Sequence, residues 1–445
     1  MATKLWQKSY DTAQLIEEFT VGNDAELDLE LAAFDVLGSL AHTQMLESIG
    51  LLEADELAKI QQELKAIYQT ILDGDFIIED GVEDIHSQVE MILTRKLGDV
   101  GKKIHSGRSR NDQVLVDLKL FMRQRIRETV DKASSLFDKL IALSKKYEQH
   151  YIPGYTHLQI AMPSSMGMWF GAYAESLVDD LNVLAGAYKV VNKNPLGSAA
   201  GYGSSFPINR TLTTELLGFE DLNYNVVYAQ MSRGKTERTV SMALASLAST
   251  LGRMAMDVCL YMNQNFGFLT FPDELTTGSS IMPHKKNPDV FELIRGKCNV
   301  LQSLPNEIAL LTGNLPSGYH REMQLIKEHF FPAFQTLNSC MEMAEFMFDN
   351  IIIKENVLED DKYAYLFSVE LVNQFVLDGM PFRDAYKKVG ELIASGEYEA
   401  PKELNHTHEG SLGNLCQEEI TKMMRATLEG FQFKKVDDAV EKLLV

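Results

Sequence analysis

Proline is scarce in this sequence: there are 12 in 445 residues and none before Pro153, against a usual share of about 5%. A stretch that long without proline carries nothing to kink or stop a helix. Cysteine is scarcer still. Cys259, Cys298, Cys340 and Cys416 stand dozens of residues apart with no C-x-x-C pair, which removes the common zinc and dithiol patterns and fits a reducing compartment. Positive charge is in deficit, with 42 Lys and Arg against 63 Asp and Glu and a formal net charge of −21. That balance excludes a basic nucleic-acid-binding face and attraction to an anionic membrane surface. No uncharged apolar run approaches the ~18 residues needed to cross a bilayer. The opening MATKLWQKSYDTAQLIEEF lacks the apolar centre and small-residue cleavage site of a leader. A cytoplasmic protein is expected.

What is present is helical periodicity. Val240, Leu244, Leu247, Leu251, Met254, Val258 and Tyr261 form a heptad-like stripe, with small residues such as Ala243, Ala245 and Ala248 between them. A second stripe runs Leu115, Leu118, Met122, Ile126, Val130, Ala133, Phe137 and Leu140. One helix over 112–150 would be about 58 Å long at ~1.5 Å per residue, so other helices must flank it along its length. The expectation is a mostly α chain built on a long central helical bundle, with apolar residues on several faces that favour assembly with other subunits. Strand signals are few: Asn225-Val226-Val227-Tyr228 reads as a short strand and Phe76-Ile77-Ile78 as a small hairpin or turn. Boundaries near 110 and 355 give an N-terminal helical domain (1–110), the bundle (111–355) and a small C-terminal helical domain (356–445).

Three segments carry chemistry. Thr276 to Asn287, TTGSSIMPHKKN, combines a glycine, two serines and two lysines. Pro283 and Pro288 keep it from being helical, so it reads as a loop able to grip a carboxylate and stabilise an oxyanion. His105 to Gln113, HSGRSRNDQ, opens the long helix with Ser109, Asn111 or Asp112 as its N-cap. It places Arg108 and Arg110 beside free N–H groups that favour anions. Gly154 to Gln159, GYTHLQ, sets His157 in a turn, and His86 stands at a helix start in EDIHSQVE. No histidine shows H-E-x-x-H or similar spacing, so no metal is expected. Gly234-Lys235-Thr236 looks like the end of a phosphate loop, but Ala229 stands where that motif needs glycine. The glycine-rich PLGSAAGYGSS (195–205) does not follow the dinucleotide pattern either.

Taken together these motifs resemble a known family. GSSIMPHKKNP (278–288) is similar to the signature loop of the aspartase/fumarase superfamily. SGRSRND, GYTHLQ, YHREMQLIKE (319–328), NPLGS (194–198), FDVLGSLAH (34–42) and MPFRDAYKKVG (380–390) resemble its argininosuccinate lyase branch. The resemblance implies a mostly helical, three-domain subunit in a homotetramer whose active sites are shared between subunits. It implies a small-molecule substrate and no cofactor or metal, with argininosuccinate cleaved to arginine and fumarate. It assigns Ser279 as the base, activated by Lys285. Lys285 and Asn287 would hold the succinyl carboxylates. His157, paired with Glu292, would be the general acid. Arg110, Asn111, Thr156, Tyr319, Gln324 and Lys327 match substrate-binding positions, and His86 would line the site. The chain departs from the family pattern in four places: QKSY after Lys4-Leu5-Trp6, Gly22-Asn23-Asp24 where a serine commonly contacts the amino-acid end of the substrate, SRGKT at 232–236, and His284 where glutamine is typical.

Overall fold

A computed structural model describes residues 14–278, 280–401 and 404–445. The long helix expected from the second stripe is there, as the 37-residue helix Arg110–Lys146. Of its three candidate caps, Ser109 takes the position: its hydroxyl accepts from the Asn111 N–H at 3.3 Å, and the Asp112 carboxylate accepts from the Ser109 N–H at 2.8 Å. This reciprocal box satisfies N–H groups that a helix start leaves open. Helices Met166–Val191 and Ile326–Asp349 pack against the long helix, Lys235–Met262 packs against both of these, and Asp289–Leu301 packs against Lys235–Met262 and Ile326–Asp349. Both stripes end inside one apolar core, with Met122, Ile126, Phe137 and Leu140 meeting the cluster that holds Val240, Leu244, Leu247 and Val258. The mostly α architecture follows from that periodicity. By length and composition Lys235–Met262 is apolar enough to cross a membrane, but its apolar stripe is spent on this core.

A second apolar cluster joins helices Ala32–Ser48, Ala54–Leu72 and Ile85–Leu97 through residues such as Leu40, Leu64 and Leu93. The last helix, Phe433–Leu444, returns to it through Leu443. Helices Ser368–Leu377 and Phe382–Ser395 form a small cluster of their own around Val372, Ala385 and Val389.

Two local expectations are corrected. Asn225-Val226-Val227-Tyr228 is no strand: Asn225 caps a short helix, Val226–Met231, by accepting from the Tyr228 N–H at 3.0 Å. A cap supplied by asparagine outweighs the β-propensity of two valines. Phe76-Ile77-Ile78 forms neither hairpin nor turn; Phe76 and Ile78 pack against the second cluster while Ile77 points out. The real hairpin is elsewhere, pairing Tyr151–Thr156 with Gln159–Ser165 and setting Pro153 opposite Pro163. Proline is tolerated because a two-stranded ribbon has only edge strands.

The glycine-rich segment at 195–205 has a structural role. The N–H groups of Gly197 and Ala199 each donate to the Asp112 carboxylate at 2.9 Å, locking this loop to the start of the long helix. Gly197 has φ +87°, and a Cβ there would meet Arg210 Cγ at 2.8 Å, so only glycine fits.

Candidate active site

Four segments far apart in sequence, together with Arg233, meet in a cleft of about 270 Å³. Six residues singled out by motif line it: His86, Arg110, Asn111, Tyr319, Gln324 and Lys327. Lys327 stands in the first turn of helix Ile326–Asp349 and is buried, its Nζ 2.5 Å from Asp24 Oδ1 and 2.6 Å from Asp28 Oδ1. Burial pushes the Asp24 carboxyl up to about 6, against the pull of Lys327. Arg110, the first residue of the long helix, places Nε 2.9 Å from Asp84 Oδ2 and donates to Ser87 Oγ at 2.6 Å. Asp84 in turn caps helix Ile85–Leu97 by accepting from the Ser87 N–H at 2.8 Å. One carboxylate thus orders both the arginine and the turn that carries His86.

Across the cleft, the segment 321–325 fastens the N-terminal segment. Arg321 donates to the Thr20 carbonyl at 2.8 Å, and Gln324 Nε2 donates to the Thr20 and Val21 carbonyls at 3.2 Å each. Arg233 is held by Glu237 at 2.8 Å and donates to the Met323 carbonyl at 2.9 Å. Glu237 also accepts from the Gly234 N–H at 2.7 Å. The Gly-Lys-Thr at 234–236 is therefore a helix start, capped through Glu237.

Beneath the cleft lies a buried charge cluster. His86 Nδ1 is 2.7 Å from Asp35 Oδ1 and 3.6 Å from Asp117 Oδ2. Burial alone would discharge the imidazole, but Asp35, Asp117 and Asp84 outweigh it and raise its pKa to about 9. Asp117 itself is pushed well above the carboxylate range by burial and by Asp35. The ligand atoms of Asp35, His86 and Asp117 lie within 4.8 Å of one another, near enough for a metal. The 2.7 Å contact of His86 with Asp35 is a direct hydrogen bond, whereas Asp117, 3.6 Å away, faces the ring through charge alone.

The other described motif residues lie outside this cleft. Ser279 falls outside the described residues. The neck of its loop is ordered: Thr277 pairs with Asn287 and Gly278 with Lys286 in an antiparallel ladder, Thr277 donates to the Asp289 carboxylate, and Lys286 pairs with Asp273. Lys285 is exposed on this loop, and Glu292 is exposed on the first turn of helix Asp289–Leu301. Thr156 and His157 are exposed near the tip of the 151–165 hairpin. His157 and Leu158 have φ of +53° and +58°, the mirror-image two-residue turn that ribbon twist favours but that His-Leu adopts only at a cost. The expected pairing of His157 with Glu292 is not made within one subunit among the described residues.

Asp28 and Glu83 line the cleft without a motif to mark them, and Asp24 and Arg233 stand in two of the stretches that depart from the family pattern. Asp84 had a usable signal, an aspartate three residues before Ser87 at a helix start. Asp28 had none, since its partner Lys327 is 299 residues away.

Comparison with known proteins agrees with this geometry. A family model described as lyase matches residues 7–302. Argininosuccinate lyase from Bacteroides fragilis is 62% identical over 444 residues, covering 100% of this chain and 99% of that protein. The enzyme of the same name from Bacteroides thetaiotaomicron is 61% identical over 444 residues, covering 100% of both. Among solved structures, EDDS lyase in complex with formate superposes with a TM-score of 0.75 at 20% identity, over 98% of this chain and 95% of that one, a likeness of fold. With full-length identity above 60% to such relatives, the chain belongs to the argininosuccinate lyase family.

Proposed function

We propose that this protein is a cytoplasmic homotetrameric enzyme of arginine biosynthesis that reversibly cleaves argininosuccinate to arginine and fumarate, with each active site completed by loops of neighbouring subunits. The observation that carries the reading is a division of labour. Six motif residues that bind or line the site converge in one cleft, while His157, Lys285 and Glu292, assigned to proton transfer and charge stabilisation, stand with Thr156 and Asn287 on segments away from it. Exposed Leu293, Val300 and Leu310 on the bundle helices give such an assembly an apolar surface to bury.

In this reading Ser279 removes a proton from the carbon beside a succinyl carboxylate. The electron pair moves into that carboxylate, where Lys285 and Asn287 stabilise the extra charge. The C–N bond then breaks, its electrons go to the guanidino nitrogen, and His157, oriented by Glu292, protonates that nitrogen, directly or through a water. Arg110, Asn111, Thr156, Tyr319, Gln324 and Lys327 hold the substrate, and His86 supports the floor.

The test is a substrate profile. Fumarate, followed by its ultraviolet absorbance, is expected from argininosuccinate and from none of malate, aspartate or adenylosuccinate; release from adenylosuccinate alone would overturn the assignment. Shared sites have their own test. Mixing inactive Ser279→Ala and His157→Asn proteins, unfolded and refolded together, is expected to restore measurable turnover, because some mixed sites then hold both native residues. If mixing restores nothing, one subunit supplies both groups.

A further inference from the structure

We propose that this chain carries a second ligand site, remote from the cleft, that binds a small carboxylate with an apolar body through Arg123. The site is a cavity of about 580 Å³ walled by helices Ala32–Ser48, Ala54–Leu72, Arg110–Lys146 and the terminal Phe433–Leu444. It shares no lining residue with the cleft. Arg123 lies about 20 Å along the long helix from Arg110, at ~1.5 Å per residue.

Arg123 is a buried cation without a counterion. The residue is 4% exposed. Its Nη1 donates to Asn192 Oδ1 at 3.3 Å and its Nη2 to the Leu217 carbonyl at 2.9 Å, both neutral acceptors. The guanidinium lies over the Phe219 ring, 4.4 Å from its centroid, which offsets part of the lost hydration but brings no negative charge. Nε finds no hydrogen-bond partner among the described residues, nor does the hydroxyl of buried Tyr188. Both residues line the cavity. Burial lowers the Arg123 pKa to about 10, opposed among the described residues by Tyr188 alone, so the group is charged at neutral pH. The acids that line the cavity do not compensate it: Asp437 pairs with Arg127, and Glu441 is exposed to water. A buried charge without a partner is costly, and the adjoining cavity lets an anion offset that cost.

The walls select the rest of the ligand. Phe34, Leu37, Leu72, Leu120, Val436 and Val440 are apolar and line the same space. Phosphate or a dicarboxylate would lose hydration against them without gaining a second free cation, since Arg127 is held by Asp437. A monocarboxylate with an aromatic or aliphatic body suits both parts. Its charge pairs with Arg123 and accepts from Tyr188, and its body covers apolar surface. The volume falls within the roughly 300–1,000 Å³ usual for small-molecule sites.

The test is calorimetric titration of the full-length protein with phenylacetate, its neutral amide phenylacetamide, and inorganic phosphate. Phenylacetate is expected to bind with a Kd of about 1 mM or tighter, and phosphate is expected not to displace it. Phenylacetamide should bind about 10- to 100-fold more weakly, the range for a hydrogen bond to a charged group. Arg123→Met keeps the apolar stem and should weaken phenylacetate by the same factor. Tyr188→Phe removes only the hydroxyl and should weaken it by about 2- to 10-fold; this variant decides the matter should the methionine variant fail to fold. Arg110→Met, in the distant cleft, should leave the affinity within about twofold. The inference is overturned by no binding of phenylacetate, by equal binding of acid and amide, or by displacement with phosphate. Unchanged affinity in Arg123→Met, or in Tyr188→Phe where the former does not fold, also overturns it. So does loss of binding in Arg110→Met, which would place the carboxylate in the cleft.

Discussion

Ser279→Ala is expected to abolish fumarate release, by about 10³-fold or more in kcat, while argininosuccinate still binds. A free serine hydroxyl is far too weak an acid to act as a base near neutrality. The assigned role therefore demands surroundings that favour the alkoxide: the exposed Lys285 six residues along the same loop, and N–H groups donated when the loop meets the rest of the site. Alanine removes the oxygen and leaves the binding cleft untouched, since the cleft is built from residues 21–28, 83–86, 110–114, Arg233 and 319–327. Calorimetric titration of the variant with substrate, beside single-turnover measurement of fumarate, separates the two effects. Full activity in the variant would remove Ser279 as the base. Loss of binding along with turnover would show that the loop acts mainly in holding substrate.

Loss of His86 is the other large effect, and it has a pH signature. The imidazolium is buried against Asp35 with Asp117 beside it, and replacement by asparagine removes the cation bonded to Asp35, leaving only the Arg108 guanidinium to face the pair; losing one partner of a buried pair costs about 3–5 kcal/mol. The pKa of His86 is raised from 6.5 to about 9 in the folded protein, so folding favours the protonated ring. The stabilisation is complete below the unfolded value of 6.5, falls as pH rises, and is gone above about 9. A shift of that size corresponds to roughly 3 kcal/mol. Denaturation midpoints of wild type and His86→Asn at one protein concentration should therefore lie furthest apart near pH 6 and converge toward pH 9 to 10. Taking the difference between the two proteins cancels the lysines and tyrosines that titrate in the same range. A gap independent of pH would show that His86 is neutral in the fold and that its contact with Asp35 is an ordinary hydrogen bond.

Legibility in the sequence followed the range of each interaction. The long helix, its Ser109 cap and the apolar stripes depend on residues within a few positions of one another, and periodicity and capping chemistry exposed them. The Asn225 cap is equally local, but the two valines after it carry a β-propensity that masks the capping signal. The 151–165 hairpin was hidden by its own composition: prolines sit in both strands and His-Leu forms a turn that usually takes Asn-Gly. The glycines at 195–205 showed that the backbone needs freedom there, but not that it curls around Asp112.

Charge shows the same limit. Arg108, Arg110, Lys286 and Lys327 looked from sequence like a reserve of free positive charge for an anionic ligand. In the fold Arg110 faces Asp84, Lys286 faces Asp273 and Lys327 faces two aspartates, while Arg108 donates to Ser39. Lys285, exposed on the signature loop, makes no ion pair among the described residues.

The sequence by itself determined that this chain is helical, that it is acidic overall, and which motifs could carry elimination chemistry, because periodicity, composition and short motifs are properties of neighbouring residues. Only the tertiary structure decided which charges remain available. An ion pair such as Lys327–Asp28 spans 299 positions, and a buried histidine takes its charge from carboxylates on other helices. Those energies depend on distance and desolvation in space, which the order of residues does not contain.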